Sequence, residues 1–344
     1  MVLTLMRMIP DDVHMEAHGK TQNISPFFRA FPVFPWLFIM IGPQVRAIHL
    51  LDCPVQNTEC SIRLGDGRRL GYAEYGDPQG RPLFYCHGFP ASRLEATLLD
   101  SAARRRGVRV IAADRPGSGL SDFQPGRRIR DWPNDVIELA DALGINRFAM
   151  VGVSGGGPYA LACARYIPQR LTAVGVVCGL GQVGEPWALR EMLWNRRLAF
   201  VLARRFPSLL KLFYAVFFGP LLKRQPDAIL SMIARTPSTA DRQVLVRADV
   251  GRVLLASIRE SVRTGPCGIL HELPLYTHPW GFRPEEINIV VELWHGEADP
   301  IVPVAHTRAL LKRLAHAHSV ILPGEGHFSL PINHMDGILR ALAR

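Results

Sequence analysis

Residues 152–158 read GVSGGGP, a serine set among glycines in a stretch with few other side chains. The apolar run FAMV (148–151) precedes this stretch, and YALACA (159–164) follows it. The first run has the composition of a buried strand, and the second has that of a helix packed on it. The stretch is therefore predicted to be a tight turn between a strand and a helix.

The five residues from Gly152 to Gly156 fit the pattern G-x-S-x-G. In this pattern a strained turn lifts the serine hydroxyl clear of the sheet, and the next residue, Gly155, offers its backbone N–H to the same point. Gly152 and Gly156 are expected because helix and strand approach too closely there for side chains. Glycine-rich turns also bind phosphate, but a Walker loop needs a lysine after its glycines, and none follows here. Ser154 is therefore predicted to be an exposed nucleophile.

Strand-like and helix-like segments alternate on both sides of this turn. A hairpin is predicted at 61–76, with Asp66-Gly67 as its tight turn. Further strand-like runs lie at 82–88, 108–114, 148–154, 171–179, 287–296 and 318–324, separated by helical patterns near 92–106, 133–144, 156–167 and 304–315. This alternation predicts an α/β fold with a mostly parallel central sheet flanked by helices.

The alternation stops from about residue 182 to 287, where only helix-like segments are found. A structureless loop of that length would be unusual in a compact domain, so an inserted helical lid is predicted. The predicted domains are an N-terminal arm at 1–57, an α/β core at 58–181 and 288–344, and the helical lid at 182–287.

A serine hydroxyl needs a base, and the base needs an acid that fixes its tautomer. Asp299 follows the predicted strand 287–296 in WHGEADPIVP, and His327 follows the last predicted strand in PGEGHFSL. Both residues therefore lie in strand-end loops, where an open α/β sheet places its active site. His295 and Glu297 are the nearest rivals for the roles of base and acid.

Four segments together carry a resemblance to a known family: HGFP (87–90), DRPGSGLSD (114–122), GVSGGGP (152–158), and GEADPIVP (296–303) with GEGH (324–327). In order and spacing they resemble the serine α/β-hydrolases, in particular the group of lid-bearing esterases, C–C hydrolases and proline iminopeptidases. The resemblance covers about residues 59–344. It implies the α/β-hydrolase fold and is weak evidence for any one substrate.

The resemblance also implies a role for each matching residue. Ser154 is the nucleophile, His327 is the general base and then the general acid, and Asp299 orients the histidine. The backbone N–H groups of Phe89 and Gly155 are implied as oxyanion donors.

A serine nucleophile indicates acyl transfer, in which an acyl-enzyme forms and water then releases the acid. The expected function is hydrolysis of small carboxylic esters with an apolar acyl part. C–C bond hydrolysis and aminopeptidase activity are the alternatives within the fold. An aminopeptidase usually binds its free amine with acidic lid residues, and this lid is basic. The alternative of another class is a non-catalytic ligand-binding protein of the same fold.

Aromatic and basic residues make up much of the lid between 186 and 223. The favoured interpretation is two amphipathic helices, apolar toward the sheet domain and basic toward water. The residues proposed to line a substrate pocket are Trp187, Trp194, Trp280 and Phe282.

A C–C hydrolase would need polar groups in that pocket. Arg190 or Arg196 would supply charge there only by pointing inward. We expect Arg190→Ala to leave short-ester turnover close to wild type.

The net charge, the cysteines and the apolar segments limit the binding partners and the cellular location that can be expected. The net charge is +10, but the arginines are scattered and no nucleic-acid-binding motif is found, so no nucleic acid is expected. Three of the six cysteines, Cys86, Cys163 and Cys178, fall in apolar runs, which favours a reducing compartment and a cytoplasmic location. Membrane association through the apolar segment 27–43 is the alternative. No metal and no organic cofactor are expected, because acyl transfer through a triad needs none.

Overall fold

The computed structural model describes residues 57–185, 187–224 and 226–343, and its centre is one eight-stranded sheet. The strands are β1 Cys60–Arg63, β2 Arg69–Gly76, β3 Arg81–Cys86, β4 Val108–Ala113, β5 Phe148–Val153, β6 Leu171–Val177, β7 Val291–Gly296 and β8 Ala317–Leu322. Every strand-like run predicted from the sequence overlaps at least one of these strands, with starts that differ by a residue for β1, β3 and β8.

The strands lie in the order β1-β2-β4-β3-β5-β6-β7-β8. β2 pairs antiparallel with β1 and with β4, and all other neighbours are parallel. The predicted hairpin at 61–76 is present, and Gly67 in its turn has φ +86°, which favours glycine. β5 is buried along its whole length, as its continuous apolar sequence requires when helices cover both faces of a parallel sheet.

The α-helices fall into a core set and an inserted set. They are α1 Asp100–Arg105, α2 Trp132–Ala142, α3 Gly157–Tyr166, α4 Trp194–Arg205, α5 Pro207–Phe213, α6 Gly219–Arg224, α7 Pro226–Ala234, α8 Thr239–Leu245, α9 Ala248–Ser261, α10 Cys267–Thr277, α11 Ala305–Arg313 and α12 Ser329–Leu342. Helices α2, α3 and α11 pack on one face of the sheet, and α1 and α12 pack on the other. The prediction of a helix near 92–106 is met by a 3₁₀ segment, Arg93–Leu99, followed by α1.

The inserted set, α4 to α10, lies between β6 and β7 and falls within the predicted lid at 182–287. Two buried ion pairs fasten it to the core: Arg115 with Glu272 at 2.5 Å, and Arg93 with Glu260 at 2.7 Å. The lid boundaries remain predictions. Within the described ranges, no helix is long and apolar enough to cross a membrane.

The predicted N-terminal arm, 1–57, lies outside the described residues except for Asn57. The apolar segment 27–43 within it is therefore outside them as well. For the rest of the chain, the parallel strands fix where a site can form. β3, β5, β6, β7 and β8 all end at the same edge of the sheet, so the loops that follow them converge there.

Candidate active site

The turn after β5 has the geometry that its glycines predict. Ser154 has φ +54°, a left-handed conformation that is strained for a residue with a side chain. A Cβ on Gly152 would strike the carbonyl oxygen of Gly156, and a Cβ on Gly156 would strike that of Cys86 at the end of β3. Glycine is required at both positions because backbone meets backbone there.

Ser154, His327 and Asp299 are brought together at the carboxyl edge of the sheet. The Ser154 Oγ lies 3.0 Å from His327 Nε2, and His327 Nδ1 lies 2.7 Å from Asp299 Oδ2. The hydroxyl can donate to Nε2 while Nδ1–H donates to the carboxylate, which fixes the neutral tautomer that a base requires. Asp299 and His327 are buried, whereas Ser154 is partly exposed.

Asp299 and His327 each stabilise the charged form of the other. Burial alone would raise the pKa of the Asp299 carboxyl, but the charge of His327 and hydrogen bonds from His295 and His327 bring it below its usual value. Burial likewise opposes protonation of His327, yet the Asp299 carboxylate outweighs it and raises the pKa of the imidazole. The histidine is thus a stronger base than an isolated imidazole.

The two rivals considered in the sequence lie outside the chain from Ser154 to Asp299, although His295 Nε2 is 3.4 Å from Asp299 Oδ2. His295 is buried with Nε2 at 2.8 Å from the Val302 carbonyl and Nδ1 at 2.7 Å from the Thr307 hydroxyl, so it braces the acid loop. Glu297 lies near the surface and pairs with Arg308 at 3.3 Å.

The loop HGFP brings Phe89 next to the turn. A Cβ built on Gly155 would lie 2.8 Å from the Phe89 Cβ, so the two backbones are in close contact beside Ser154. Within the described part of the chain, the Phe89 N–H donates to no protein acceptor. The role of the Phe89 and Gly155 N–H groups as oxyanion donors stays a prediction.

Two charged side chains, the partly exposed Glu95 and the buried Arg115, hydrogen-bond the backbone of this loop, and the sequence analysis identified neither. Glu95 Oε2 accepts the Gly88 N–H at 2.7 Å. Arg115 donates to the carbonyls of His87 and Gly88 at 2.6 and 2.8 Å. Together they fix the peptide planes that precede the Phe89 N–H. Arg115 lies in the segment DRPGSGLSD, but its partners are distant in sequence.

The inserted helices also reach this network. Glu272 on α10 pairs with Arg115, and Tyr276 Oη lies 2.7 Å from Glu272 Oε1 and 3.0 Å from the Gly155 carbonyl. The Tyr276 hydroxyl donates to one of these acceptors at a time. The turn that carries Ser154 is therefore supported by a residue of the insertion.

Asp241 on α8 is a further residue that sequence reasoning missed. Its carboxylate is fully buried and accepts the backbone N–H groups of His327, Phe328 and Ser329 at 2.9 to 3.0 Å. It therefore fixes the loop that carries the histidine, and its charge contributes to the raised pKa of His327. The signal available in the sequence was only a Ser238 cap followed three residues later by an acid.

Cys178 follows β6 and lies beside the acid. Its thiol is buried, its φ is +48°, and burial followed by the charge of Asp299 raises its pKa. The ligand atoms of Cys178, Asp299 and His327 lie within 4.8 Å of one another, so these residues could hold a metal ion. An ion there would have to replace the 2.7 Å hydrogen bond between Asp299 and His327.

The four residues proposed to line a pocket are not brought to one place. Trp194 is 61% exposed on the outer side of α4, and the Trp187 ring packs on His306 at 5.2 Å between centroids. Trp280 and Phe282 are buried against each other in the core. Trp280 and Phe282 therefore seal the insertion onto the sheet domain, and their positions give no support to a pocket role.

The favoured interpretation of the insertion as helices with basic outer faces and apolar inner faces is also incorrect in part. Leu198, Leu209 and Leu212 are exposed together with Trp194, whereas Arg196 lies partly buried on the inner face of α4. Arg190, in contrast, is exposed. Helical periodicity in the sequence separates two faces but does not tell which one packs on the core.

Comparisons with known proteins agree with the fold. A family model described as alpha/beta hydrolase fold matches residues 81–333. The chain is 32% identical over 126 residues to a non-heme chloroperoxidase from Streptomyces lividans. The aligned part is 36% of this chain and 45% of that protein. It is 32% identical over 110 residues to a proline iminopeptidase from Xylella fastidiosa. The aligned part is 31% of this chain and 35% of the iminopeptidase.

The chain thus spans less than half the length of these curated relatives. Among solved structures, an esterase from Exiguobacterium antarcticum has a TM-score of 0.58 and 15% identity, over 83% of this chain and 97% of that one. At that identity the likeness concerns the fold alone. The predicted fold class is confirmed.

Proposed function

This chain belongs to the α/β-hydrolase family, as the match over residues 81–333 shows, and on that premise we propose that it is a serine hydrolase of carboxylic esters. The observation that carries the proposal is the continuous hydrogen-bonded chain from Ser154 through His327 to Asp299, at 3.0 and 2.7 Å. This order of donor, base and orienting acid is what a serine needs to become a nucleophile at neutral pH.

In the first half of the proposed reaction, His327 Nε2 removes the proton from Ser154 Oγ as the oxygen attacks the ester carbonyl carbon. The carbonyl oxygen becomes an oxyanion, which the N–H groups of Phe89 and Gly155 stabilise by about 3 kcal/mol each. Asp299 stabilises the imidazolium. His327 then gives its proton to the departing alcohol oxygen as the C–O bond breaks, and the acyl-enzyme remains.

In the second half, a water molecule attacks the acyl carbon while His327 takes one of its protons. The tetrahedral intermediate uses the same two donors. Its collapse returns the proton to Ser154 Oγ and releases the carboxylic acid. Each step transfers one proton through His327 Nε2, so the loop that Asp241 fixes must keep that atom near 3 Å from the serine oxygen.

Three acids of the insertion are held by partners within the protein, which favours an ester over a peptide with a free amine. Glu272 is committed to Arg115, Asp241 to three backbone N–H groups, and Glu260 to Arg93. An amine-binding site would need such a carboxylate to remain free for the substrate. C–C bond hydrolysis by the same triad and a non-catalytic binding role are the alternatives that the test below distinguishes.

The test is hydrolysis of p-nitrophenyl esters from acetate to palmitate by wild type and by Ser154→Ala. We expect turnover by wild type and a loss of about 10³-fold or more in the variant. The profile over chain length then gives the size of the acyl site. A folded wild-type protein that hydrolyses none of these esters contradicts the proposal and favours one of the alternatives.

A further inference from the structure

Helix α4 presents one charged residue to the interior. Arg196, Ala199, Phe200 and Ala203 are spaced as i, i+3, i+4 and i+7, so they share one face of the helix. Ala203 is buried, and Ala199 and Phe200 pack against the main core. The neighbouring Arg197, by contrast, is exposed. Arg196 is thus an inward-facing guanidinium on an otherwise apolar face.

Other buried arginines of this protein are paired. Arg93, Arg115 and Arg127 each have a carboxylate within 2.5 to 3.7 Å. For Arg196, no carboxylate among the described residues lies within ion-pair distance. Its backbone N–H donates to the Leu193 carbonyl and to Asn195 Oδ1, and its guanidinium donates to no acceptor among the described residues. An unpaired charge on a buried face carries a desolvation cost that a partner would offset.

The charge of Arg196 acts on the triad. Burial lowers the pKa of Arg196, while Asp299 opposes this effect, and Arg196 in turn lowers the pKa of His327. Asp299 is not its ion-pair partner, because that carboxylate already accepts hydrogen bonds from His327 and from the backbone of Ile301 and Val302. The packing of α4 agrees with this: α4 contacts α10, whose Tyr276 is hydrogen-bonded to the Gly155 carbonyl in the turn that carries Ser154. The inner face of α4, which Arg196 shares with Ala199, Phe200 and Ala203, is therefore the face toward the active site.

We propose that Arg196 forms an anion subsite of the active site and that the ester substrate carries a carboxylate that pairs with it. This inference rests on the proposed function and narrows its substrate class to anionic esters. A guanidinium offers two parallel N–H groups to a carboxylate, and such pairs are strong where water is scarce. The substrate then supplies the partner that the protein lacks.

The test uses matched pairs of esters that differ in one charge. p-Nitrophenyl hydrogen adipate and p-nitrophenyl hexanoate place the carboxylate on the acyl side. 4-Carboxyphenyl hexanoate and 4-carbamoylphenyl hexanoate place it on the alcohol side. For wild type we expect one anionic ester to exceed its neutral partner in kcat/KM by about tenfold or more, after correction for uncatalysed hydrolysis. Arg196→Gln should abolish that ratio, Arg196→Lys should restore part of it, and Arg197→Gln should keep it.

Binding provides a readout that does not need turnover. Calorimetry on Ser154→Ala should show tighter binding of the preferred anionic ester than of its neutral partner, and adding Arg196→Gln should remove the difference. Equal binding of both members in each pair, or a preference that survives Arg196→Gln, overturns the subsite. Neutral esters turned over without any preference would also overturn it while leaving the proposed function intact. Absence of all ester turnover refutes the proposed function, and the calorimetry still decides the subsite.

A separate observation concerns the outer side of the insertion. Apart from the inward-facing Arg196, the stretch 193–224 holds six basic residues and no acidic one. Its exposed large apolar side chains include Trp194, Leu198, Leu209 and Leu212. Exposed apolar clusters of this kind mark a binding surface, because leaving them in water costs free energy.

We infer that this outer surface, defined by Trp194, Leu198, Leu209 and Leu212 with the basic residues around them, binds an anionic lipid bilayer. Apolar side chains enter the boundary between headgroups and acyl chains, and arginine and lysine contact the lipid phosphates. A stretch whose charged residues are all basic complements a negatively charged surface. Two copies of this stretch would repel each other, because neither carries an acidic residue.

Co-sedimentation with vesicles tests this inference on the full chain. We expect wild type to sediment with phosphatidylcholine vesicles that contain phosphatidylglycerol, and less with phosphatidylcholine alone. Leu209→Glu with Leu212→Glu should abolish sedimentation, while Val290→Glu, an exposed apolar position before β7, should not. Sedimentation that persists in the double variant, or self-association that buries the surface in place of lipid binding, contradicts the inference.

Discussion

At the scale of single residues, the basicity of His327 comes from what surrounds it. Burial favours the neutral imidazole, and the Asp299 carboxylate at 2.7 Å more than compensates, so the pKa of His327 is raised. Below that pKa the imidazole is protonated and cannot accept the proton of Ser154. Activity should therefore fall as the pH drops through a value above the ordinary histidine pKa of 6.5.

Asp299→Asn should move the acid limb of the pH profile, the fall in activity at low pH, to lower pH. Without the carboxylate charge, burial dominates and the pKa of His327 falls. The amide also holds the wrong tautomer, so the plateau of kcat/KM should drop by about 10⁴-fold. The measurement is the pH profile of kcat/KM for a p-nitrophenyl ester. An unchanged acid limb in the variant would show that Asp299 is not the orienting acid.

The triad could be predicted from the sequence because each member directly follows a strand, and parallel strands converge at one edge. Glu95, Arg115 and Asp241 could not, because their partners are brought near only by the folded chain. Asp241, for instance, lies 86 residues before the histidine whose N–H it accepts. Their burial and pairing are tertiary properties that no local pattern encodes.

At the scale of elements, the turn that carries Ser154 is packed closely between β5, the end of β3 and α3. Gly156 meets the Cys86 carbonyl at the end of β3, so the turn is wedged between two strands and a helix. Alternation of apolar runs and helical patterns was enough to predict these elements. The outward apolar side of α4 was not predictable, because the same periodicity fits either face.

Gly156→Ala should disrupt the close packing of this turn. The added methyl group meets backbone atoms that cannot rotate away, so we expect a loss of about 1–3 kcal/mol in the free energy of unfolding, together with a loss of esterase activity. Gly65→Ala is the control, since its Cβ would meet only Glu138 at 3.5 Å. Urea denaturation of both variants measures the difference. Equal stability of the two would contradict the packing described for the turn.

Helix α8 is expected to act on the histidine through Asp241. Asp241→Asn removes the charge that helps raise the pKa of His327 and replaces one acceptor oxygen with a donor facing the His327 N–H. We expect the acid limb of the pH profile to shift to lower pH and kcat to fall. Asp249→Asn, on the exposed start of α9, is the control. A variant with lower stability but an unshifted pH profile would limit Asp241 to a structural role.

At the scale of the whole molecule, the core and the insertion are joined by buried charges. Arg115 and Glu272 form an ion pair across that boundary at 2.5 Å with almost no exposure, and the same arginine donates to the Gly88 carbonyl in the loop HGFP. Loss of either partner leaves the other charge buried without compensation. The insertion and the core are therefore expected to unfold together.

Glu272→Ala should lower the free energy of unfolding by about 3–5 kcal/mol, because Arg115 is left unpaired. Glu297→Ala, which breaks the exposed pair with Arg308, should cost no more than about 1 kcal/mol. Tryptophan fluorescence and far-ultraviolet circular dichroism in urea should give one coincident transition for wild type. Two separate transitions would mean that the insertion is an independent unit.

The central claim is that Ser154 is a nucleophile activated by His327 and Asp299, and covalent labelling tests it most directly. Wild type is treated with a fluorophosphonate and analysed by intact-protein and peptide mass spectrometry. We predict one adduct on Ser154, absent in Ser154→Ala and formed far more slowly in His327→Ala. A folded wild-type protein without an adduct, or labelling that persists in Ser154→Ala, would contradict the claim.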